Sequence, residues 1–213
     1  MLNKNLLIAI DGPSSSGKGT IAKKVAAHFA LPCLNTGALY RGIAFLALDG
    51  GFDLENDETK IIPLCKKLVE LDLESTELHN EEIGKAASII AANPNIRQAI
   101  FDLQRNFALN GLQTKQGAVL EGRDIGTVIC PDANYKFFIT ASAEVRATRR
   151  FKQLQENLMP ADYDLILQQL KTRDEQDKNR AVSPLKKADN AIEIDTSQMN
   201  VEQVFERILS SIK

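Results

Sequence analysis

The sequence predicts an α/β fold, a parallel sheet with helices on both faces, and three features predict it. Residues 6–10, Leu-Leu-Ile-Ala-Ile, are apolar at every position and too few for a helix, which suits a strand covered on both sides. Further strand candidates follow at residues 33–35, 118–121, 135–140 and 191–195. Helical patterns fill the stretches between them, and such an alternation closes into a parallel sheet.

Taken in order, the first strand runs into a glycine-rich turn, residues 12–20, and then into a helix on which Ile21, Val25, Ala26 and Phe29 share one face while Lys23 and Lys24 take the other. The second strand opens onto a helix over residues 37–48. Helices over 57–70, 81–92 and 95–110 then make a long stretch before the third strand. Beyond the fourth strand, helices over 143–156 and 163–178 flank residues 158–164, where Pro160 and the acidic residues mark the turn of a mobile hairpin. The last helix has the clearest pattern. Val201, Val204, Phe205, Ile208, Leu209 and Ile212 form one apolar stripe, with Asn200 as N-cap and Gln203 three residues on. No repeat, low-complexity tract or long linker interrupts the chain.

The turn carries the chemistry. Gly12-Pro13-Ser14-Ser15-Ser16-Gly17-Lys18-Gly19-Thr20 lies between a strand and a helix, the order a phosphate-binding loop requires. Its glycines let backbone N–H groups turn inward, the helix N-terminus adds partial positive charge, and Lys18, expected as an exposed cation, reaches the β and γ phosphates of a nucleotide. Gly19 stands where Ser or Thr is usual in G-x-x-x-x-G-K-[ST], and the hydroxyl comes one residue later at Thr20.

Composition excludes several other classes. The chain has 213 residues, 44% hydrophobic and 25% charged, enough for one domain with a small appendage. Its longest apolar runs are far short of a bilayer span. Residues 1–5 lack the order of a signal peptide, so a cytoplasmic location is expected. Cys33, Cys65 and Cys130 are odd in number with no C-x-x-C spacing, which argues for core packing in a reducing compartment and against a disulfide framework or zinc site. A net charge of −2 and a pI near 5.8 leave no global basic field for nucleic acid, so any anion site is local. His28 and His79 are isolated and read as surface residues.

Three further motifs lie beyond the loop. Asn35-Thr36-Gly37-Ala38-Leu39-Tyr40-Arg41 follows the second strand, and Glu121-Gly122-Arg123-Asp124-Ile125-Gly126-Thr127 closes the third, at strand ends where open parallel sheets bind ligands. The third motif is Arg173-Asp174-Glu175-Gln176-Asp177-Lys178-Asn179-Arg180-Ala181-Val182-Ser183-Pro184-Leu185. Arg41 and Arg123 each offer a planar fork for a monophosphate. Arg173, Asp177 and Arg180, spaced four and three apart, share a helix face, which a solvated salt-bridge stripe would also do. Arg146, Arg149 and Arg150 cluster at helical spacing, either beside nucleotide phosphates or as plain surface charge.

Together these motifs resemble the bacterial cytidylate kinases over nearly the whole chain. The resemblance implies a P-loop NTPase-type sheet of five parallel strands, with a core of residues 1–36, 111–150 and 188–213, an acceptor-binding lobe over 37–110 and a lid over about 151–187. It implies ATP as donor with Mg²⁺, CMP or dCMP as acceptor, and a monomer acting without nucleic acid or membrane. It makes Lys18, Arg123 and Arg180 catalytic and assigns Gly12 to Thr20 to ATP. Thr36, Arg41, Ser88, Arg97, Arg123, Asp124, Arg173, Asp177 and Arg180 fall to CMP, with Ser88, Arg97 and Asp124 reading cytosine and Arg173 and Asp177 near the sugar. No protein side chain is assigned as a direct metal ligand. Cytosine offers acceptors at O2 and N3 and a donor at N4, so an arginine and a carboxylate complement its edge.

Two departures from that pattern stand out. Asn35 and Glu121 occupy places where aspartate is usual, and residues 71–82 are shorter than the small β-rich insert of the bacterial enzymes. A regulatory GTPase would share the loop, but neither D-x-x-G nor N-K-x-D occurs. A kinase for a hydroxyl acceptor would have no use for three phosphate-matching arginines.

Overall fold

The structure, a computed structural model, describes residues 5–114 and 116–212. Residues 1–4, most of the stretch read for a signal peptide, lie outside the described residues. In chain order the elements are β1 (Leu6–Asp11), α1 (Lys18–Phe29), β2 (Cys33–Asn35), α2 (Thr36–Asp49), α3 (Glu58–Ile61), α4 (Glu81–Ala92), α5 (Pro94–Thr114), β3 (Gly117–Gly122), β4 (Tyr135–Thr140), α6 (Ala143–Glu156), α7 (Tyr163–Asn179), β5 (Ile192–Asp195) and α8 (Val201–Leu209).

The strands form one sheet in the order β2-β3-β1-β4-β5, and the pairs β1–β3, β1–β4 and β4–β5 are parallel. The five-stranded α/β architecture is the one the sequence predicts. Every residue of β1 and β3 is buried, which is why neither strand alternates with polar residues.

By contact density the chain divides into two compact units, Met1–Cys33 with Ala108–Lys213, and Leu34–Phe107. In the first, α1 and α8 cover one sheet face, where Ile21, Val25, Val204 and Ile208 pack on Ile8, Ile10, Val119 and Phe137. The end of α5 crosses close to β3: a Cβ on Gly111 would come within 2.5 Å of the Gly117 carbonyl oxygen, so only glycine permits the approach. Helices α6 and α7 pack together through Ala147, Leu154, Ile166 and Leu170. The second unit has its own core, built from Leu39, Ile43, Ile61, Leu68, Ile90, Ile96 and Ile100.

Some expectations need correction. The helix expected over 57–70 is α-helical only at Glu58–Ile61 and continues as a 3₁₀ helix over Ile62–Glu70. Pro63 explains the change, because its ring clashes with the carbonyl four residues back and it has no N–H to donate. The last helix ends at Leu209, although Ile212 still packs on the core. Asn200 and Gln203 form the expected capping box. Arg180 is the C-cap of α7, in extended conformation, and so leaves the helix face it was expected to share.

Candidate active site

The turn after β1 is a loop held by its carbonyls. Gly12 has φ +153, and a Cβ there would lie 2.0 Å from the Ile139 carbonyl oxygen. Gly17, also left-handed, caps α1 without a side-chain hydrogen bond, so the helix N-terminus keeps its donors for a ligand. Lys18 Nζ donates to the Pro13 carbonyl at 3.1 Å, Arg146 to Ser14 at 3.2 Å and Arg149 to Ser16 at 3.2 Å. Arg149 also donates to the hydroxyl and carbonyl of Thr196 at 2.9 and 2.7 Å. Three cations thus hold three loop carbonyls, which fixes the loop's course ahead of the α1 N-terminus. The buried Ser16 hydroxyl has no hydrogen-bond partner among the described residues, a polar orphan of the kind a bound polyphosphate would satisfy.

Lys18 is not the exposed cation expected. It is 8% exposed and lies 3.8 Å from Glu121 Oε2, because the sheet and the loop enclose its stem. Burial pushes its ammonium down to about 7; Arg123 pushes the same way and Glu121 opposes. Arg146 is not surface charge either. It is 3% exposed, forms a two-pronged ion pair with Asp174 of α7, and donates to the Ala141 carbonyl at 2.9 Å. Arg150, in contrast, is bonded to Gln153 in an exposed position.

At the end of β3 the chain makes one π-helical turn, Ile125–Ile129, directly after Arg123 and Asp124. The N–H groups of Ile125 and Gly126 donate to the two carboxylate oxygens of Asp11 at 2.8 and 2.7 Å. Burial pushes Asp11 up to about 7 against the pull of those two bonds. Arg123 Nε donates to Asp177 Oδ2 at 2.8 Å, which joins the second and third motifs. Burial disfavours charge on both partners, yet each stays ionised: Asp177 raises the Arg123 guanidinium, and Arg123, Arg173 and Arg180 hold the Asp177 carboxyl below its usual value. Arg180 lies 3.8 Å from Asp124 Oδ1. A turn with Ser183 at φ 50 holds it there, since Arg180 Nε donates to the Ser183 carbonyl and the Leu185 N–H to that of Asp177 at 2.7 Å.

The remaining candidates lie in the Leu34–Phe107 unit. Asn35 caps α2 by accepting the Ala38 N–H at 3.1 Å, a role asparagine fills as well as aspartate. Thr36 opens the helix, buried, and the Arg41 guanidinium lies beside Gly37. Ser88 is half-buried on α4 and donates to the Gly84 carbonyl at 3.2 Å. Arg97 is buried, with its guanidinium 5.4 Å from the Tyr40 ring centroid and a bond to the Ala91 carbonyl at 3.3 Å. Residues 71–82 contain the short 3₁₀ helix Thr76–His79.

A cleft of about 530 Å³ opens beside the glycine loop. Ser15, Gly17 and Thr20 line it together with Arg149, Arg150, Met199 and Val201. Sequence reasoning missed Asp11, Asp174 and Thr196. Asp11 borders the glycine motif and Asp174 lies inside the third motif without a role assigned to it, and their buried positions in a strand and on an apolar helix face were the available signal. Thr196 offered none.

The sequence profile of the family described as Cytidylate kinase matches residues 8–213. A cytidylate kinase from Methylocella silvestris is 47% identical over 96% of this chain and 92% of its own length. Another, from Azorhizobium caulinodans, is 45% identical over 98% of each chain. Among solved structures, an uncharacterized protein from Eubacterium ventriosum aligns over 97% of this chain and 98% of that one, with TM-score 0.54 and 16% identity. A gluconokinase from Sinorhizobium meliloti aligns over 99% of this chain and 93% of that one, with TM-score 0.52 and 13% identity, a likeness of fold.

Proposed function

The chain belongs to the cytidylate kinase family, and from that premise we propose that it transfers the γ-phosphoryl group of ATP to CMP and dCMP, giving ADP with CDP or dCDP. The observation that carries this reading is the group of guanidiniums at the end of β3, Arg123 and Arg180 with Arg173 nearby, arrayed around the carboxylates of Asp177 and Asp124. Such an array suits an acceptor that is itself a phosphate, since joining two anions demands cations on both.

On the donor side, the loop from Gly12 to Thr20 holds the polyphosphate, and Lys18 serves the charge that develops on the transferred group. The cleft with Arg150, Met199 and Val201 suits the donor's aromatic base, which its guanidinium and apolar walls would sandwich. Mg²⁺, when bound with ATP, supplies charge neutralisation between phosphates. The Thr20 hydroxyl and the Glu121 carboxylate, 3.8 Å from Lys18, are the groups suited to hold it or its waters.

On the acceptor side, Arg41, Arg123 and Arg180 take the monophosphate, Arg173 and Asp177 the sugar, and Ser88, Arg97 and Asp124 the cytosine edge, and Thr36 is assigned to the same substrate. Asp177 and Asp124 hold Arg123 and Arg180 in place until a substrate phosphate displaces them. Residues 37–110 act as the acceptor lobe and about 151–187 as the lid that excludes water from the γ phosphate. The enzyme works as a monomer in the cytoplasm, where a reducing environment suits cysteines that form no disulfide with one another. Among the described residues no helix is long and apolar enough to cross a membrane.

A coupled ADP-release assay across AMP, CMP, GMP, UMP and dCMP tests the proposal. CMP and dCMP turn over fastest if it holds. Equal or faster turnover of a purine monophosphate, or none with CMP, overturns it.

A further inference from the structure

Asp11 is the last residue of β1, 5% exposed, and the glycine loop begins one residue after it. Its partners are 114 and 115 positions away, the N–H groups of Ile125 and Gly126 at 2.8 and 2.7 Å. Those two groups open the π-helical turn, and Arg123 and Asp124 immediately precede them. The turn's own bonds close onto the same residue: the N–H groups of Val128 and Ile129 donate to the Asp124 carbonyl at 2.8 and 3.2 Å. The backbone that leaves Asp124 is therefore held by both sets of bonds. The sheet already sets Asp11 opposite Gly122, so the carboxylate is the tie across the last step from strand to turn. A carboxylate can accept at both oxygens, which fits two neighbouring N–H groups as the amide of asparagine does not.

We propose that Asp11 is a positioning residue for phosphoryl transfer, whose two-oxygen grip on the Ile125 and Gly126 N–H groups holds Arg123 and Asp124 in register with the phosphate loop. The proposal deepens the reading above and rests on Arg123 and Asp124 meeting the acceptor. Asp11 touches no reacting atom in this scheme. It acts by joining the end of the donor strand to the residues that aim the acceptor, so a slip there appears as lost alignment between two substrates.

Asp11→Asn tests this. The amide oxygen still accepts one N–H, but the amide nitrogen faces the other, so the start of the turn shifts. Because an ångström of misplacement costs on the order of a hundred-fold in rate, kcat/KM for CMP is expected to fall roughly ten- to a hundred-fold. KM for ATP stays within about three-fold, since the loop's carbonyl ties are untouched. The CMP-to-UMP ratio of kcat/KM also narrows, because Asp124 loses its aim. A folded variant with parental kcat, KM for CMP and CMP-to-UMP ratio would make Asp11 a purely structural tie and overturn the proposal. Gly126→Ala is the second probe, because its Cβ would stand 3.3 Å from Asp11 Oδ2 and 3.1 Å from Lys136 Cδ. It disturbs the same grip gently, so the ratio narrows in the same direction by a smaller factor, and an unchanged ratio counts against the proposal. If the parent protein prefers another monophosphate, the proposed function fails separately, and the same comparison on that acceptor still decides the role of Asp11.

Discussion

Arg146→Met is expected to be among the most destabilising single changes in the sheet-bearing unit. The Arg146 side chain is 4% exposed and that of its partner Asp174 12%, so water screens the pair little. Removing the guanidinium strands a buried carboxylate, at about 3–5 kcal/mol, and removes donors from the Ala141 and Ser14 carbonyls. For a chain of this size each kcal/mol moves Tm by roughly 2–4 °C, so a loss of ~6–20 °C is expected. Asp174→Leu strands the cation less severely, because Arg146 keeps both carbonyls. The double variant removes the whole pair and leaves only the carbonyls short of donors, so it costs about 2–3 kcal/mol. Urea unfolding of the parent, both single variants and the double variant closes the cycle, and the coupling energy should be about 2 kcal/mol or more. Additive single effects, or a loss under about 1 kcal/mol for Arg146→Met, would refute the buried-pair reasoning.

Two further outcomes follow from the same site. Lys18 has a folded value of about 7 against an ordinary 10.5, so between those limits the unfolded chain binds a proton that the folded chain does not. Stability of the ligand-free protein against urea should therefore rise with pH across that window, and Lys18→Met should flatten the rise; an identical slope in parent and variant contradicts the buried-ammonium reading. Asp124→Asn adds a donor to a group that only accepts, so kcat/KM for CMP should fall more than for UMP, narrowing the ratio about ten-fold, equivalent to ~1.4 kcal/mol. A uniform loss for both substrates would exclude a base-reading role.

What the sequence reveals divides along physical lines. Loop, strand and helix around Lys18 are legible because their signals are local: a run of apolar residues, glycines where φ turns positive, and a 3.6-residue period. The meeting of Arg123 and Asp177 at 2.8 Å is not, since 54 residues separate them and only the tertiary fold brings α7 to the end of β3. The π-helical turn after Asp124 has no local signature, because its first donors are held by Asp11 from another strand. Pro63 carried a readable warning against a continuous helix. Arg180 left its helix through a left-handed Ser183, a residue type that rarely announces such a turn. Buried cations are the hardest to foresee, since spacing cannot tell an arginine facing water from one like Arg146, whose partners lie on other elements.

The hydrogen bonds from Lys18, Arg146 and Arg149 to the carbonyls of Pro13, Ser14 and Ser16 have a consequence for timing. Ordering a flexible loop from Gly12 to Gly17 would otherwise fall on the moment of nucleotide arrival, at about 1–2 kcal/mol of entropy per residue. Here that ordering is completed when the chain folds. Association then resembles a ligand meeting a rigid socket, with a single kinetic phase, and the loop's amide protons slow in exchange only when a nucleotide's oxygens accept from them.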